Sequence, residues 1–163
     1  MSQHLKILAA FFLACFTNSA ISKTSYRGTL LRVVTPSTLD IQISETDFIQ
    51  IQILGPDYMA DSKRLCTEED IKSKCERLQE LLGEQDIGVT IEKRDDKVMY
   101  GDIVYQGKLL SSTMISEGWY RVDNKMYSAA YLFDAERKAF CNYRGVWAKN
   151  KGRHEVISKC MRR

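Results

Sequence analysis

Two runs of strict alternation constrain this chain most. In "TLDIQI" (38–43) Leu39, Ile41 and Ile43 face one way, and Asp40 and Gln42 the other. In "FIQIQIL" (48–54) Ile49, Ile51 and Ile53 share a face. A period of two marks a half-buried strand. "GTLLRVV" (28–34), rich in β-branched and aliphatic residues, reads as a third strand just before them. Short turns, one holding Pro36 and Ser37 and one reading "SETD", join the three into an antiparallel meander.

The period then changes. From Thr67 to Leu82 the apolar positions Ile71, Cys75, Leu78, Leu81 and Leu82 lie on one helical face. Thr67 suits an N-cap, Glu68, Glu69 and Asp70 complement the helix dipole, and Gly83 suits a stop. "IGVTIEK" (87–93) and "VMYGDIVY" (98–105) read as two strands about an "RDDK" turn. "KLLSSTMISEG" (108–118) reads as a short helix and "WYRV" as a brief extended piece. "YSAAYLFDAERKAFCNYRG" (127–145) reads as a helix with Leu132, Ala135 and Ala139 on one side. The order β-β-β-α-β-β-α-α predicts an α+β fold: a five-stranded OB-type Greek-key β-barrel with about three helices. Another α+β domain with the same element order is the alternative.

The chain has 163 residues and a net charge of +3. Residues 1–22 read as a signal peptide: Lys6, the apolar run "ILAAFFLACF", then "TNSAIS" with cleavage expected after Ala20 or Ser22. The run is shorter than the roughly 20 residues a membrane span needs. A buried N-terminal helix is the structural alternative, and a lipoprotein anchored at Cys15 the other, although Phe12 and Leu13 fit a lipoprotein box poorly. Residues 23–163 are then one domain with a basic C-terminal extension, exported to the periplasm or secreted, with no transmembrane segment. Losing residues 1–22 removes one Lys and no acid, so the charge falls from +3 to +2. That is too mild to require a nucleic-acid partner. Cys66, Cys75, Cys141 and Cys160 remain, and an even number in an exported chain favours disulfides. Three connectivities are open, with Cys66–Cys75 and Cys141–Cys160 favoured as the short loops. A zinc site is the alternative, but no C-x-x-C supports it and His154 is the one histidine near these cysteines.

Four passages in the right order resemble the thermonuclease (staphylococcal-nuclease-like) family, across roughly residues 26–148. "LLRVVTPSTLDIQI" sits where that family has a strand, a D-G-D-T turn and a strand. "IQIQILGPD" matches V-R-L-x-x-I-D-x-P-E. "YGDIVYQGKLLSSTMISEGWYRV" matches Y-G-R, a strand, a turn, a helix and a Gly-led strand. "DAERKAFCNYRGVW" matches an E-x-x-A helix leading to G-(I/V)-W. The resemblance implies a Ca²⁺ ion held by two aspartates and a carbonyl, two phosphate-binding arginines, and a glutamate that orients the attacking water.

Carried over residue by residue, these parts are missing. The turn's second aspartate falls on Ser37, and the arginine of V-R-L on Gln50. The following aspartate falls on Gly55 or is deleted; Asp57 takes the glutamate's place in the gapped alignment, and Tyr58 in the ungapped one. The arginine of Y-G-R falls on Asp102, which reverses the charge. Parts that act as a unit fail as a unit. The expectation is therefore a catalytically inactive, exported binding module, with no metal or other cofactor. Its expected partner is a protein of the cell envelope, or nucleic acid. The alternative is a divergent secreted nuclease that uses Ca²⁺ at a rearranged site, with Asp57 the candidate catalytic acid.

Other groupings carry less. Asp40, Asp47, Asp95, Asp96 and Asp102 sit on or near hairpins, where acids are usually solvated turn residues. Ser37 and His154 lack any frame for a hydrolytic pair. For binding, Tyr100, Tyr105, Trp119, Tyr120 and Tyr127 offer stacking surfaces, of which Tyr100, Trp119 and Tyr120 are the principal candidates. Lys149 and Arg153 represent a basic tail that runs from Arg144 to Arg163.

Overall fold

A computed structural model describes residues 24–58, 64–95, 98–125, 127, 129–150 and 160. The elements run β1 (Thr24–Thr35), β2 (Thr38–Gln42), β3 (Phe48–Ile53), α1 (Glu69–Leu82), β4 (Ile87–Arg94) and β5 (Met99–Tyr105). Then come β6 (Lys108–Leu109), α2 (Leu110–Ser116), α3 (Ala130–Cys141) and a 3₁₀ turn (Gly145–Asn150).

The sheet order is β3-β2-β1-β4-β5-β6, and β3 also pairs with β5 in parallel. That extra pairing closes β1 to β5 into a five-stranded mixed barrel of the OB type. The alternation read in the sequence sets its inside. Leu39, Ile41, Ile51, Ile53, Val89 and Ile103 fill the interior together with Leu78 and Leu82 of α1 and Met114 of α2. Strand β1 is long enough to serve two partners. Thr24–Gly28 pair with β4, and Thr29–Thr35 pair with β2. A second cluster of Ile115, Val122, Leu132 and Ala135 packs α3 onto the end of α2.

Three boundaries differ from the sequence reading. Helix α1 starts at Glu69 with Glu68 at its N-cap and no side-chain cap, while Thr67 is exposed. Arg64 organises this end instead, bonding Glu68 at 2.8 Å and Asp70 at 2.6 and 2.5 Å. Lys108 and Leu109 belong to a strand, not a helix, because Gln106 (φ 48°) and Gly107 (φ 71°) make a tight turn back onto β5. The last helix is shorter than read. It ends at Cys141, and Gly145 (φ 50°) follows Tyr143 (φ 54°) before the 3₁₀ turn.

The cysteines pair locally, Cys66 with Cys75 (Cα–Cα 5.7 Å) and Cys141 with Cys160 (5.6 Å). The first ties the entry of α1 to its second turn, and the second holds the C-terminal segment to the end of α3. Loop-closure entropy for a separation of 9 residues amounts to about 2.5 kcal/mol. The double replacement Cys66→Ala/Cys75→Ala is expected to lower stability by about that much, read by denaturant melts. An unchanged midpoint would show that this bridge adds nothing. Among the described residues no helix is long and apolar enough to cross a membrane.

Candidate functional site

The β1–β2 turn, the end of β3 and the start of β5 meet at one end of the barrel. The Ile53 N–H donates to the Ser37 carbonyl at 2.9 Å, and the Leu54 N–H to the Gly101 carbonyl at 2.8 Å. Ser37, Gly55 and Asp102 are thus neighbours around one rim, although they are far apart in sequence.

Each of these positions is already engaged. Ser37 is fully buried; its hydroxyl lies 3.1 Å from the Thr35 hydroxyl, which also accepts its N–H at 3.2 Å. Gln50 pairs across the sheet with Asp40 and donates from Nε2 to Asp40 Oδ1 at 2.9 Å. The other Asp40 oxygen accepts from Arg32 Nε at 2.6 Å, so this buried carboxylate is spent on an ion pair and an amide. Gly55 has φ +108°, and a Cβ there would lie 2.7 Å from Leu132 Cδ1. The space an aspartate side chain needs is occupied by α3.

Asp57 is half-buried, and its N–H donates to the Arg121 carbonyl at 2.8 Å. Tyr58 is buried edge-on against Tyr120, with ring centroids 4.7 Å apart, and its hydroxyl donates to Met114 Sδ at 3.7 Å. Burial pushes its phenol well above the usual range, so it is no base.

Asp102 is the most perturbed carboxylate. It is buried and accepts from the Ile103 N–H at 2.8 Å, the Ser111 N–H at 3.1 Å and the Ser111 hydroxyl. Burial raises its pKa from 3.8 to about 6; the bonds from Ser111 and Ile103 oppose the rise, and nearby Glu92 adds to it. Asp102, Glu92, Thr90, Tyr127 and Tyr131 line a small pocket of about 130 Å³. Tyr131 is bonded to Tyr127 and Ser111, and burial pushes its phenol up. Two carboxylates and two phenols form a hydrogen-bonding pocket, and among the described residues of its lining there is no Lys or Arg. Its carboxylates do not favour a phosphate, and neutral phenols of raised pKa supply no nucleophile. Among the described residues no group of three or more His, Cys, Asp and Glu is placed to hold a metal ion.

The binding candidates are dispersed. Tyr100 is half-buried with Lys93 Nζ 5.6 Å from its ring centroid. Trp119 is half-buried on the rim of the main core. Tyr120 is buried, with Lys74 Nζ 4.5 Å over its ring and Tyr58 packed edge-to-face with it, so the ring is no open platform for a base. Tyr105 is also buried, its hydroxyl bonded to Thr113 at 2.9 Å. Lys149 is exposed on the 3₁₀ turn. Arg153, His154, Asp96, Cys15 and the segment read as a signal peptide lie outside the described residues.

Sequence reasoning missed Ser111, Tyr131 and Leu132 as parts of this rim. Ser111 carries one available signal, since a short hairpin places it near Asp102. Leu132 carries none, because its helical periodicity gives a buried face without saying what that face covers. No family model matches the chain, and no curated protein matches it.

Proposed function

We propose that the protein is an exported, thermonuclease-like OB module that has lost hydrolysis and binds a protein partner in the cell envelope. The observation that supports this best is that every position bearing the family's metal and phosphate ligands is satisfied by its own neighbours. Ser37 turns to Thr35, Gln50 to an Asp40–Arg32 pair, Gly55 is covered by Leu132, and Asp102 is closed on Ser111. Ser37, Gln50 and Gly55 offer a cation no carboxylate, and Arg32 is the arginine that this set of described residues holds, already paired with Asp40. The two disulfides suit an oxidising compartment, which agrees with export through the N-terminal segment.

Calcium affinity tests this. A site with Kd about 0.1 mM would add about 2.7 kcal/mol in about 10 mM Ca²⁺. The expected result is an unchanged melting temperature with Ca²⁺ or chelator. A rise of several degrees that chelator reverses would return the protein to the nuclease class.

A further inference from the structure

Away from that rim, two grooves share a ridge. The ridge is the Arg77–Glu117 ion pair, at 3.2 Å. On one side a groove of about 530 Å³ is walled by Lys74, Trp119 and Val146, the last 45 % exposed. On the other a groove of about 590 Å³ carries Lys108, Lys138 and Arg144, with Leu81 and Leu109 among its walls. Among the described residues Glu117 is the one acid in either lining, and Arg77 already neutralises it. Lys108 and Lys138 make no ion pair within the described residues, and Arg144 spends one N–H on the Ser116 carbonyl at 3.2 Å. The result is one trough with an apolar end and an un-neutralised cationic end.

We propose that this trough binds an extended acidic segment of a partner protein. An apolar residue seats between Trp119 and Val146, and carboxylates lie along Lys108, Lys138 and Arg144. This rests on the reading of the protein as a binding module and names the chemistry of its partner. Charge complementarity selects the occupant. The chain's own segment 151–159, "KGRHEVISK", carries Lys151, Arg153 and Lys159 against Glu155, the same sign as the groove. A peptide is favoured over a nucleic-acid strand because strands draw much of their affinity from bases stacked on aromatic rings. The rings at the cationic end are not free for that: Tyr105 is buried, and Tyr131 is tied to Tyr127 and Ser111.

Fluorescence anisotropy of the purified, oxidised protein tests it. The probes are a labelled peptide of one Phe and about four Glu, its Lys counterpart, its Ser-for-Phe counterpart, and an oligothymidylate of about ten nucleotides. The acidic Phe peptide is expected to bind most tightly and to weaken with salt. The double replacement Lys108→Glu/Lys138→Glu is expected to cost about tenfold or more in Kd. Val146→Asp is expected to erase the preference for Phe over Ser. Lys108 and Lys138 are exposed, so an unchanged melting curve shows that these variants fold. Equal binding of the Glu and Lys peptides, tighter binding of the oligothymidylate, or a charge-reversed variant that binds like the parent would each overturn the trough. Hydrolysis of the oligothymidylate in the same samples would instead remove the binding-module reading, whatever the peptides do.

Discussion

Gly55→Asp, which places an aspartate where the resemblance to thermonucleases would put a metal ligand, is expected to destabilise the protein by about 4 kcal/mol and to gain no calcium affinity. Three costs add. The backbone at φ +108° tolerates glycine and penalises any L side chain by about 1–2 kcal/mol. The new Cβ falls 2.7 Å from Leu132 Cδ1, and Leu132 is fully buried, so the second core cluster must shift at about 1–3 kcal/mol. The carboxylate then sits beside Ser111, whose hydroxyl is already given to Asp102, so it is buried without a partner near a second acid. For a chain of this size the melting temperature is expected to fall by about 10 °C. Adding Leu132→Ala relieves the contact but opens the core, so the double variant remains well below the parent. A Gly55→Asp protein as stable as the parent, with a melting curve that responds to Ca²⁺, would show that the rim still accepts the ion.

The second large effect is a pH dependence carried by Asp102. Its folded pKa is raised from 3.8 to about 6, so between those values the folded protein holds a proton that the unfolded chain has released. Stability therefore falls as pH rises from about 4 to about 6 and levels off above that. The difference between 3.8 and about 6 corresponds to about 3 kcal/mol. Asp102→Asn keeps the shape and an acceptor for the Ile103 and Ser111 N–H groups, and Ser111 can rotate its hydroxyl to accept from the amide. The variant is expected to lack this slope. Denaturant melts of both proteins at pH 4 and pH 8 give the comparison, with the other acids cancelling between them. Parallel curves would mean that the carboxylate is solvated and the pocket open, in which case Asp102 would face whatever binds at the rim.

How far the sequence reveals this molecule depends on how local each feature is. The barrel strands are legible because Leu39, Ile41, Ile49, Ile51 and Ile53 alternate with polar residues, and one face of a closed barrel demands that period. Helix α1 is legible from Ile71, Cys75, Leu78 and Leu82, all buried. The start of that helix is not, since Thr67 has the right chemistry but Arg64, several residues upstream, gathers Glu68 and Asp70. The candidate rim is half legible. The resemblance points to Ser37, Gln50, Gly55 and Asp102, and the sequence shows which of these positions carry no charge that the resemblance would need. It does not tell what surrounds these positions, because the answers are tertiary: Leu132 over Gly55, Arg32 on Asp40, and Ser111 on Asp102. Tyr120 illustrates the opposite error. A tyrosine beside a tryptophan and an arginine reads as a stacking surface, yet its ring closes the core against Tyr58. The trough between Trp119 and Lys138 needs three helices, a hairpin and the 3₁₀ turn to be seen at all.

The most direct test of the central claim is a cleavage assay. The purified, oxidised protein is incubated with single- and double-stranded DNA and RNA in Ca²⁺, Mg²⁺, Mn²⁺ or chelator, and products are followed on gels. Intact substrate is expected under every condition. Metal-dependent cleavage that disappears in Asp57→Ala would contradict this, and would mean that a catalytic site is built around that carboxylate.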